Sequence, residues 1–226
     1  MSQTAVPTAP LATAGWPAAT RPRRLLPDLL AGTGYLLTGL PLAVISFSLL
    51  LTGTALALGT LVIVVGFAVM ALALAMAQGF AALERARVGA VLGRPVPTPR
   101  YRPLRAGTVG PVLSAGADPR RWLDLVHGLV SFPVALITFV LTTVWWSAGI
   151  GGTGYVLWEW ALPGDAGDEH RRGLADLLGW DGRAADITLV TAIGVIMLLT
   201  LPLVVRACVA VQTGLARALL AGPESA

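Results

Sequence analysis

The chain has 226 residues, of which 55% are hydrophobic and 12% charged, and its mean hydropathy is +0.75. Soluble domains carry about 25% charged residues, so the composition predicts an integral membrane protein. All sixteen basic residues are arginine, and they flank apolar segments, which argues against nucleic-acid binding despite the net charge of +4. The single cysteine, Cys208, excludes an internal disulfide and a cysteine-built metal site.

The N-terminal part of the chain passes from a polar tail into a long apolar run. Residues 1–24 are rich in Ala, Pro and Thr without periodicity and predict a disordered cytoplasmic tail. Residues 29–83 then include no charged side chain, whereas one helical span needs only about 20 residues. This run therefore predicts two membrane spans, at about 29–52 and 55–80, with a turn at 52–54.

The rest of the chain alternates polar and apolar segments. Residues 84–121 are rich in arginine and proline and predict a largely extended cytoplasmic loop. A second uncharged run predicts a third span at about 125–148. The acidic segment 150–186 predicts an outer loop, and a fourth span is predicted at 187–205.

The arginine distribution predicts the orientation of the spans. Thirteen of the sixteen arginines lie in the N-terminal tail, the 84–121 loop and the C-terminal end, whereas the 150–186 loop carries three among seven acidic residues. Basic residues are enriched on the cytoplasmic side of membrane proteins. We therefore expect a multi-pass protein of the plasma membrane with both termini and the 84–121 loop in the cytoplasm.

An internal repeat is indicated by the similarity of residues 39–47 to residues 131–139, around Pro41 and Pro133. We predict an all-α polytopic membrane protein with four transmembrane helices, arranged as two repeated hairpins that are each followed by an amphipathic cytoplasmic helix. Because each unit has an even number of spans, the copies are expected to be parallel, related by an axis along the membrane normal. The 25–221 segment is the predicted domain.

Two prolines are candidate hinges. Pro41 and Pro133 each remove a backbone donor from the interior of a predicted span, so each predicts a kink. A packing kink accounts for both of them. The alternative is a hinge that transmits movement of the outer loop towards the cytoplasm.

Five residues near the outer loop are candidates for signal input. The candidates Trp158 and Trp160 follow Trp145, Trp146 and Tyr155 in the sequence. Such a cluster is typical of an interfacial aromatic belt, and the alternative is an apolar surface that binds a ligand. The acidic residues could gather around a cation, but their spacing matches no defined metal loop. The five candidates are Trp158, Trp160, Asp165, Asp168 and Glu169.

The sequence gives no indication of catalysis. It has no Walker loop, HExxH or GxSxG motif, so we expect no enzymatic activity, no catalytic residues, no cofactor and no metal site. His127 is expected to be a hydrogen-bonded histidine near the membrane boundary, with a proton relay as the alternative. The spans are also expected to lack the buried charges of an ion-coupled transporter.

Over about residues 25–221, the chain resembles the sensor domain found at the N-terminus of many actinobacterial sensor histidine kinases. The resemblance implies a four-span input module that drives a cytoplasmic output. The chain stops six residues after Leu220 without a phosphoacceptor helix or an ATP-binding domain, so we expect a stand-alone member or a fragment. The resemblance is carried by residues 35–42, 82–87, 92–97, 101–103, 118–122, 158–163 and 215–220.

We therefore expect a non-enzymatic membrane sensor that relays an envelope or membrane signal. The lipid bilayer is expected to be one of its partners. Its expected partner is a histidine kinase or another cytoplasmic signalling protein, and pairing as a homodimer is a further expectation. The first alternative is a small transporter, channel or accessory membrane subunit. The second is a scaffold that binds a soluble partner through its arginine-rich loop.

Overall fold

A computed structural model of the chain describes residues 25–63, 65–103, 110–161, 174–175, 178–180 and 182–220, and these residues are helical with short connections. No strand occurs among the described residues. Short 3-10 turns lie at Leu61–Ile63 and Glu159–Ala161. The helices are α1 (Leu25–Gly59), α2 (Val65–Leu92), α3 (Gly110–Gly116), α4 (Pro119–Thr153), α5 (Tyr155–Trp158) and α6 (Arg183–Leu220).

The helices α1, α2, α4 and α6 are long and apolar enough to cross a membrane, with mean hydropathies of 2.0, 1.9, 2.0 and 2.5 over their most apolar windows. An apolar backbone segment in lipid must satisfy its own hydrogen bonds, which a helix does within a single segment. The all-α class and the four apolar helices are thus confirmed, and the chain is a multi-pass membrane protein.

The predicted turn at 52–54 is wrong, because α1 continues without interruption to Gly59. A β-carbon added to Gly53 would lie 3.4 Å from the Ala73 Cβ, so this glycine lets α2 approach closely. The chain reverses further on, where the Thr60 hydroxyl donates to the Leu56 carbonyl at 2.7 Å. A glycine between threonines therefore marks helix packing here and not a turn.

The prediction that residues 84–121 form a largely extended loop is also largely wrong. Its first residues continue α2 to Leu92, where Gly93 with a φ of 66° ends the helix. Residues 95–103 are extended, as their prolines predict. At the far end, Asp118 caps α4 by accepting a hydrogen bond from the Arg120 backbone N–H. The predicted cytoplasmic helices 80–93 and 206–221 are helical, as continuations of α2 to Leu92 and of α6 to Leu220.

The helices pair as two antiparallel hairpins. In the first, the Tyr35 hydroxyl of α1 contacts Glu84 near the end of α2. In the second, α4 and α6 approach most closely at two glycines. A β-carbon added to Gly194 would lie 2.3 Å from the Thr153 nitrogen and 2.5 Å from the Gly152 carbonyl carbon. The absence of side chains at this point allows direct backbone contact between α4 and α6.

The two hairpins pack with α4 antiparallel to α1. The Trp146 indole donates to the Thr33 hydroxyl at 3.1 Å, and the Phe47 and Phe132 rings stack with their centroids 4.7 Å apart. Residue numbers thus rise along α1 as they fall along α4. This direction places the end of α1 at Gly59 and the end of α4 at Thr153 at opposite ends of the packed helices. It differs from the parallel repeat expected from the sequence, in which these two helix ends share one side.

Replacing Gly194 with leucine is expected to destabilise the chain, because its side chain would have to enter the backbone contact with Gly152. Overpacking of this kind costs about 1–3 kcal/mol, and a backbone neighbour has little room to move. The melting temperature in detergent, followed by far-UV circular dichroism, should fall for Gly194→Leu. Gly151→Leu is the matched control, since nothing lies within 4 Å of its added β-carbon. Equal melting temperatures of the two variants would contradict the close contact.

Candidate functional site

A charged cluster lies where the end of α2, the extended segment 95–103 and the first turns of α4 meet. The Tyr101 hydroxyl donates to Asp124 Oδ2 at 2.7 Å and accepts from Arg85 Nη2 at 3.3 Å. Arg85 Nη1 lies 3.7 Å from Asp124 Oδ1. The three side chains therefore connect two helices and the segment between them.

Burial makes this cluster energetically important. Arg85 is 6% exposed and Asp124 is 2% exposed. Removing two charges from water costs several kcal/mol per ion, which is offset only if the ions are paired and hydrogen-bonded. Among the described residues, Arg85 Nε has no hydrogen-bond partner and Nη1 has only the ion pair, so the guanidinium depends on Asp124 and Tyr101. Loss of either partner would leave a buried charge poorly compensated.

Burial and the hydrogen bond to Asp124 raise the pKa of the Tyr101 phenol above its usual range. The phenol therefore stays protonated at neutral pH and remains a donor to the carboxylate. This explains why a tyrosine is suited to the centre of the cluster, because one hydroxyl serves both charged neighbours.

A second pair of charges extends the cluster along α4. Asp118 accepts the Arg102 backbone N–H at 3.0 Å and lies 3.6 Å from Arg121 Nε. The Arg121 guanidinium also donates to the Gln78 side chain of α2 at 3.0 Å. The arginines at 85 and 121 are thus buried and paired, which sequence analysis did not predict for a loop expected to be basic and solvated.

A third group connects α2 to α1. Glu84 accepts from the Tyr35 hydroxyl and from Arg87 Nη1, both at 2.6 Å. Arg87 Nη2 also donates to the Tyr35 carbonyl at 2.8 Å and to the Thr38 hydroxyl at 3.1 Å. The arginine lies over the Tyr35 ring, 4.8 Å from its centroid, in a cation–π contact.

A small cavity of about 40 Å³ lies between these groups, with Glu84, Asp124 and His127 in its wall. Because a buried water needs roughly 10–15 Å³ of such space, the cavity has room for two or three waters. His127 is 5% exposed, and its Nδ1 has no hydrogen-bond partner. Gln212 of α6 reaches the same cavity and donates to the Thr138 hydroxyl of α4. The cavity is thus a mainly apolar space in the bundle with a few polar groups in its wall.

The predicted spans 29–52, 55–80, 125–148 and 187–205 carry no charged residue, and the buried charges lie beyond their ends. Arg85 of α2 and Asp124 and Arg121 of α4 are all buried. The sequence carried a partial signal, since three carboxylates occur beside the arginines that precede the third apolar run. Charge composition alone, however, does not indicate whether an arginine is solvated or paired.

The candidate input tryptophans lie apart from this cluster. Trp158 is half-exposed, packs edge-to-face against Tyr155 and donates to the Gly151 carbonyl at 3.0 Å. Trp160 is 77% exposed and donates to the Leu157 carbonyl of its own turn. Their role in signal input stays a prediction. The other three candidates, Asp165, Asp168 and Glu169, lie outside the described residues.

The remaining residues singled out in the sequence are two neighbouring tryptophans and the two candidate hinge prolines. Trp145 donates to the Thr200 hydroxyl at 3.1 Å, and Trp146 donates to α1, so both connect helices; the interfacial belt expected for them stays a prediction. Pro41 and Pro133 lie inside α1 and α4, and both are exposed on their helices. Whether these prolines act as hinges stays a prediction.

The four long apolar helices and the charged cluster at their ends define a multi-pass membrane protein with a polar joint between two hairpins. The chain belongs to the family described as "Putative sensor", whose family model matches residues 35–220. This match confirms the resemblance to a sensor domain. No curated protein and no solved structure matches the chain.

Disruption of the central ion pair tests the energetic role of the cluster. Asp124→Leu alone is expected to destabilise the chain by about 3–5 kcal/mol, because it leaves the buried Arg85 charge unpaired. Arg85→Met should have a similar effect, and the double variant should recover a large part of the loss. Unfolding in detergent, followed by near-UV circular dichroism, measures the cycle.

The exposed Arg94 provides the control for this cycle. Arg94→Met should change stability by less than about 0.5 kcal/mol, since the side chain is at the surface. Strictly additive effects of the Arg85 and Asp124 substitutions would show that the two side chains do not interact energetically.

Proposed function

We propose that the chain is a non-enzymatic membrane sensor that relays an envelope or membrane signal to a cytoplasmic partner. The observation that carries the proposal is the buried Arg85–Tyr101–Asp124 cluster, because it couples two helices and the segment between them. Family membership supports a sensing role. A shift in the relative position of the hairpins would alter the cluster, and with it the segment 95–103.

A buried ion pair suits a two-state element. It is stable only in an arrangement that brings both charges together, so an intermediate separation is disfavoured. A signal that stabilises one arrangement of the hairpins shifts the population towards that arrangement. The outputs in this proposal are the ends of α2 and α6, at Leu92 and Leu220, as amphipathic cytoplasmic extensions of the spans.

The proposed partner is a histidine kinase or another cytoplasmic signalling protein, as in an actinobacterial two-component system. The resemblance of the sequence to kinase sensor domains supports this partner. Pairing of two copies as a homodimer is part of the proposal. Pro41 and Pro133 are the proposed hinges, and the internal repeat that relates them is supported by the matching segments 39–47 and 131–139.

We further propose that the protein lies in the plasma membrane with both termini and the 84–121 segment in the cytoplasm. The arginine distribution supports this orientation. Successive spans alternate in direction, which would make α4 run parallel to α1 in the bilayer. The packed helices have α4 antiparallel to α1. Charge distribution and helix packing therefore give different positions for the end of α4 at Thr153, and labelling distinguishes them.

Transport is a second candidate function, favoured by the ionisable residues Glu84, Asp124 and His127 in the wall of the small cavity. Ionisable residues within a membrane bundle often mark a pathway for ions or protons. The volume of about 40 Å³ is too small for a solute larger than a few waters. Solute or proton flux in vesicles containing the purified chain would favour this function over sensing.

A kinase fusion tests the sensing proposal. A kinase output joined after Leu220 is expected to respond to envelope stress, and deletion of residues 159–183 should abolish that response if the outer segment is the input. The Arg85→Met/Asp124→Leu variant should give an output independent of the stimulus, because the joint between the hairpins is lost. Arg94→Met is the matched control and should respond normally. A normal response of both altered chains would contradict the proposal.

Cysteine labelling tests the orientation. In a Cys208→Ala background, Thr60→Cys and Trp180→Cys place one thiol in or beside each connection, and Arg94→Cys places one in the basic segment. The proposed orientation predicts that an impermeant thiol reagent added to intact cells labels the first two positions and not the third. Labelling of only one of the first two positions would instead support the antiparallel arrangement of α1 and α4.

A further inference from the structure

A second, larger cleft lies between the beginning of α1, the end of α2 and the second half of α6. Its volume is about 340 Å³, and its wall includes Leu29 of α1, Leu92 of α2 and Val209 of α6. Pockets that bind small molecules and cofactors typically have volumes of about 300–1,000 Å³. The cleft is separate from the charged cluster and has no role in the mechanism proposed above.

The wall of the cleft is mainly apolar along α6. Val205, Val209 and Ala210 face it, and Gly214 leaves open space, because nothing lies within 4 Å of an added β-carbon there. An apolar cleft among membrane helices adjoins lipid chains and not only water. The acyl chain of a lipid therefore fits the wall better than a polar solute does.

The charged residues of the cleft wall are mainly cationic. Arg206 and Arg217 line it, and among the described residues the single acidic one in its wall is Asp28. The two arginines are eleven positions apart on α6, so they lie on nearly the same helix face, separated by about 16 Å. Neither guanidinium forms a hydrogen bond or an ion pair with the residues that the structure describes. Two guanidinium groups against one carboxylate favour an anionic ligand.

We propose that this cleft binds one anionic phospholipid. A guanidinium group of Arg206 or Arg217 binds the lipid phosphate, and an acyl chain lies along the apolar wall of α6 between them. Basic pockets between membrane helices bind anionic headgroups in this way. The proposal depends on the membrane location of the helices and not on signalling, so its failure and that of the sensor proposal are distinguishable.

Native mass spectrometry of the full chain in detergent tests the proposal. The probes are phosphatidylglycerol and phosphatidylcholine with identical acyl chains. The wild-type chain is expected to bind phosphatidylglycerol about 5-fold more tightly, from the one arginine that binds the phosphate. The Arg206→Gln/Arg217→Gln variant should lose this preference, whereas Arg94→Gln, at an exposed arginine outside the cleft wall, should retain it.

A second pair of variants tests the apolar part of the cleft. Gly214→Phe should fill the cleft and weaken the binding of both lipids. Gly34→Phe is its matched control, because nothing lies within 4 Å of its added β-carbon either and it lies outside the cleft wall. Far-UV circular dichroism checks that each variant is folded.

Three results would overturn the proposal. The first is equal affinity of the wild-type chain for the two lipids, and the second is an unchanged preference in the double arginine variant. The third is displacement of phosphatidylglycerol by excess inorganic phosphate, which would indicate a site for a free anion. Loss of lipid binding in Gly214→Phe but not in Gly34→Phe would support the cleft as the site.

Discussion

The ion pair between Arg85 and Asp124 determines how the two hairpins fit together. Both side chains are buried, and each would be strongly unfavourable in the bundle without the other. Tyr101 supplies a hydroxyl that serves both charges, which holds the extended segment against the helices. The positions of α2, α4 and the segment between them thus follow from the need to compensate two desolvated charges.

The sequence predicted the class of the fold because membrane helices leave a strong signal in composition. An uncharged run of 55 residues, from 29 to 83, is typical of a chain that crosses the bilayer and very unusual in a water-soluble fold. The turn was misplaced because Gly53 suits both a turn and a close helix contact, and only its neighbour Ala73 distinguishes them. The limits of the helices depend on tertiary packing, which a single sequence does not contain.

The charged cluster was harder to predict, for a different reason. Arg85 and Arg121 look like ordinary basic residues at the edge of a membrane span, and positive-inside topology accounts for them equally well. Their pairing depends on which faces of α2 and α4 meet, and those faces follow from apolar packing such as the cluster of Leu74, Ala77 and Leu125. The direction of α4 relative to α1 illustrates the same difference. Arginine counts indicate how a chain inserts into the membrane, whereas the fit of side chains determines how the helices pack.

The backbone contact of Gly152 with Gly194 has a mechanical consequence. With no side chain between them, a change in the crossing angle of α4 and α6 needs little repacking at that point. The contact would act as a fulcrum if the Trp145–Thr200 and Gln212–Thr138 hydrogen bonds further along shifted with it. From residue 194 to residue 220, α6 extends about 39 Å at 1.5 Å per residue. A tilt of about 5° at the fulcrum moves the far end of this lever arm by roughly 3 Å. Two glycines would then convert a small angular change into a displacement comparable to a helix shift in known switches.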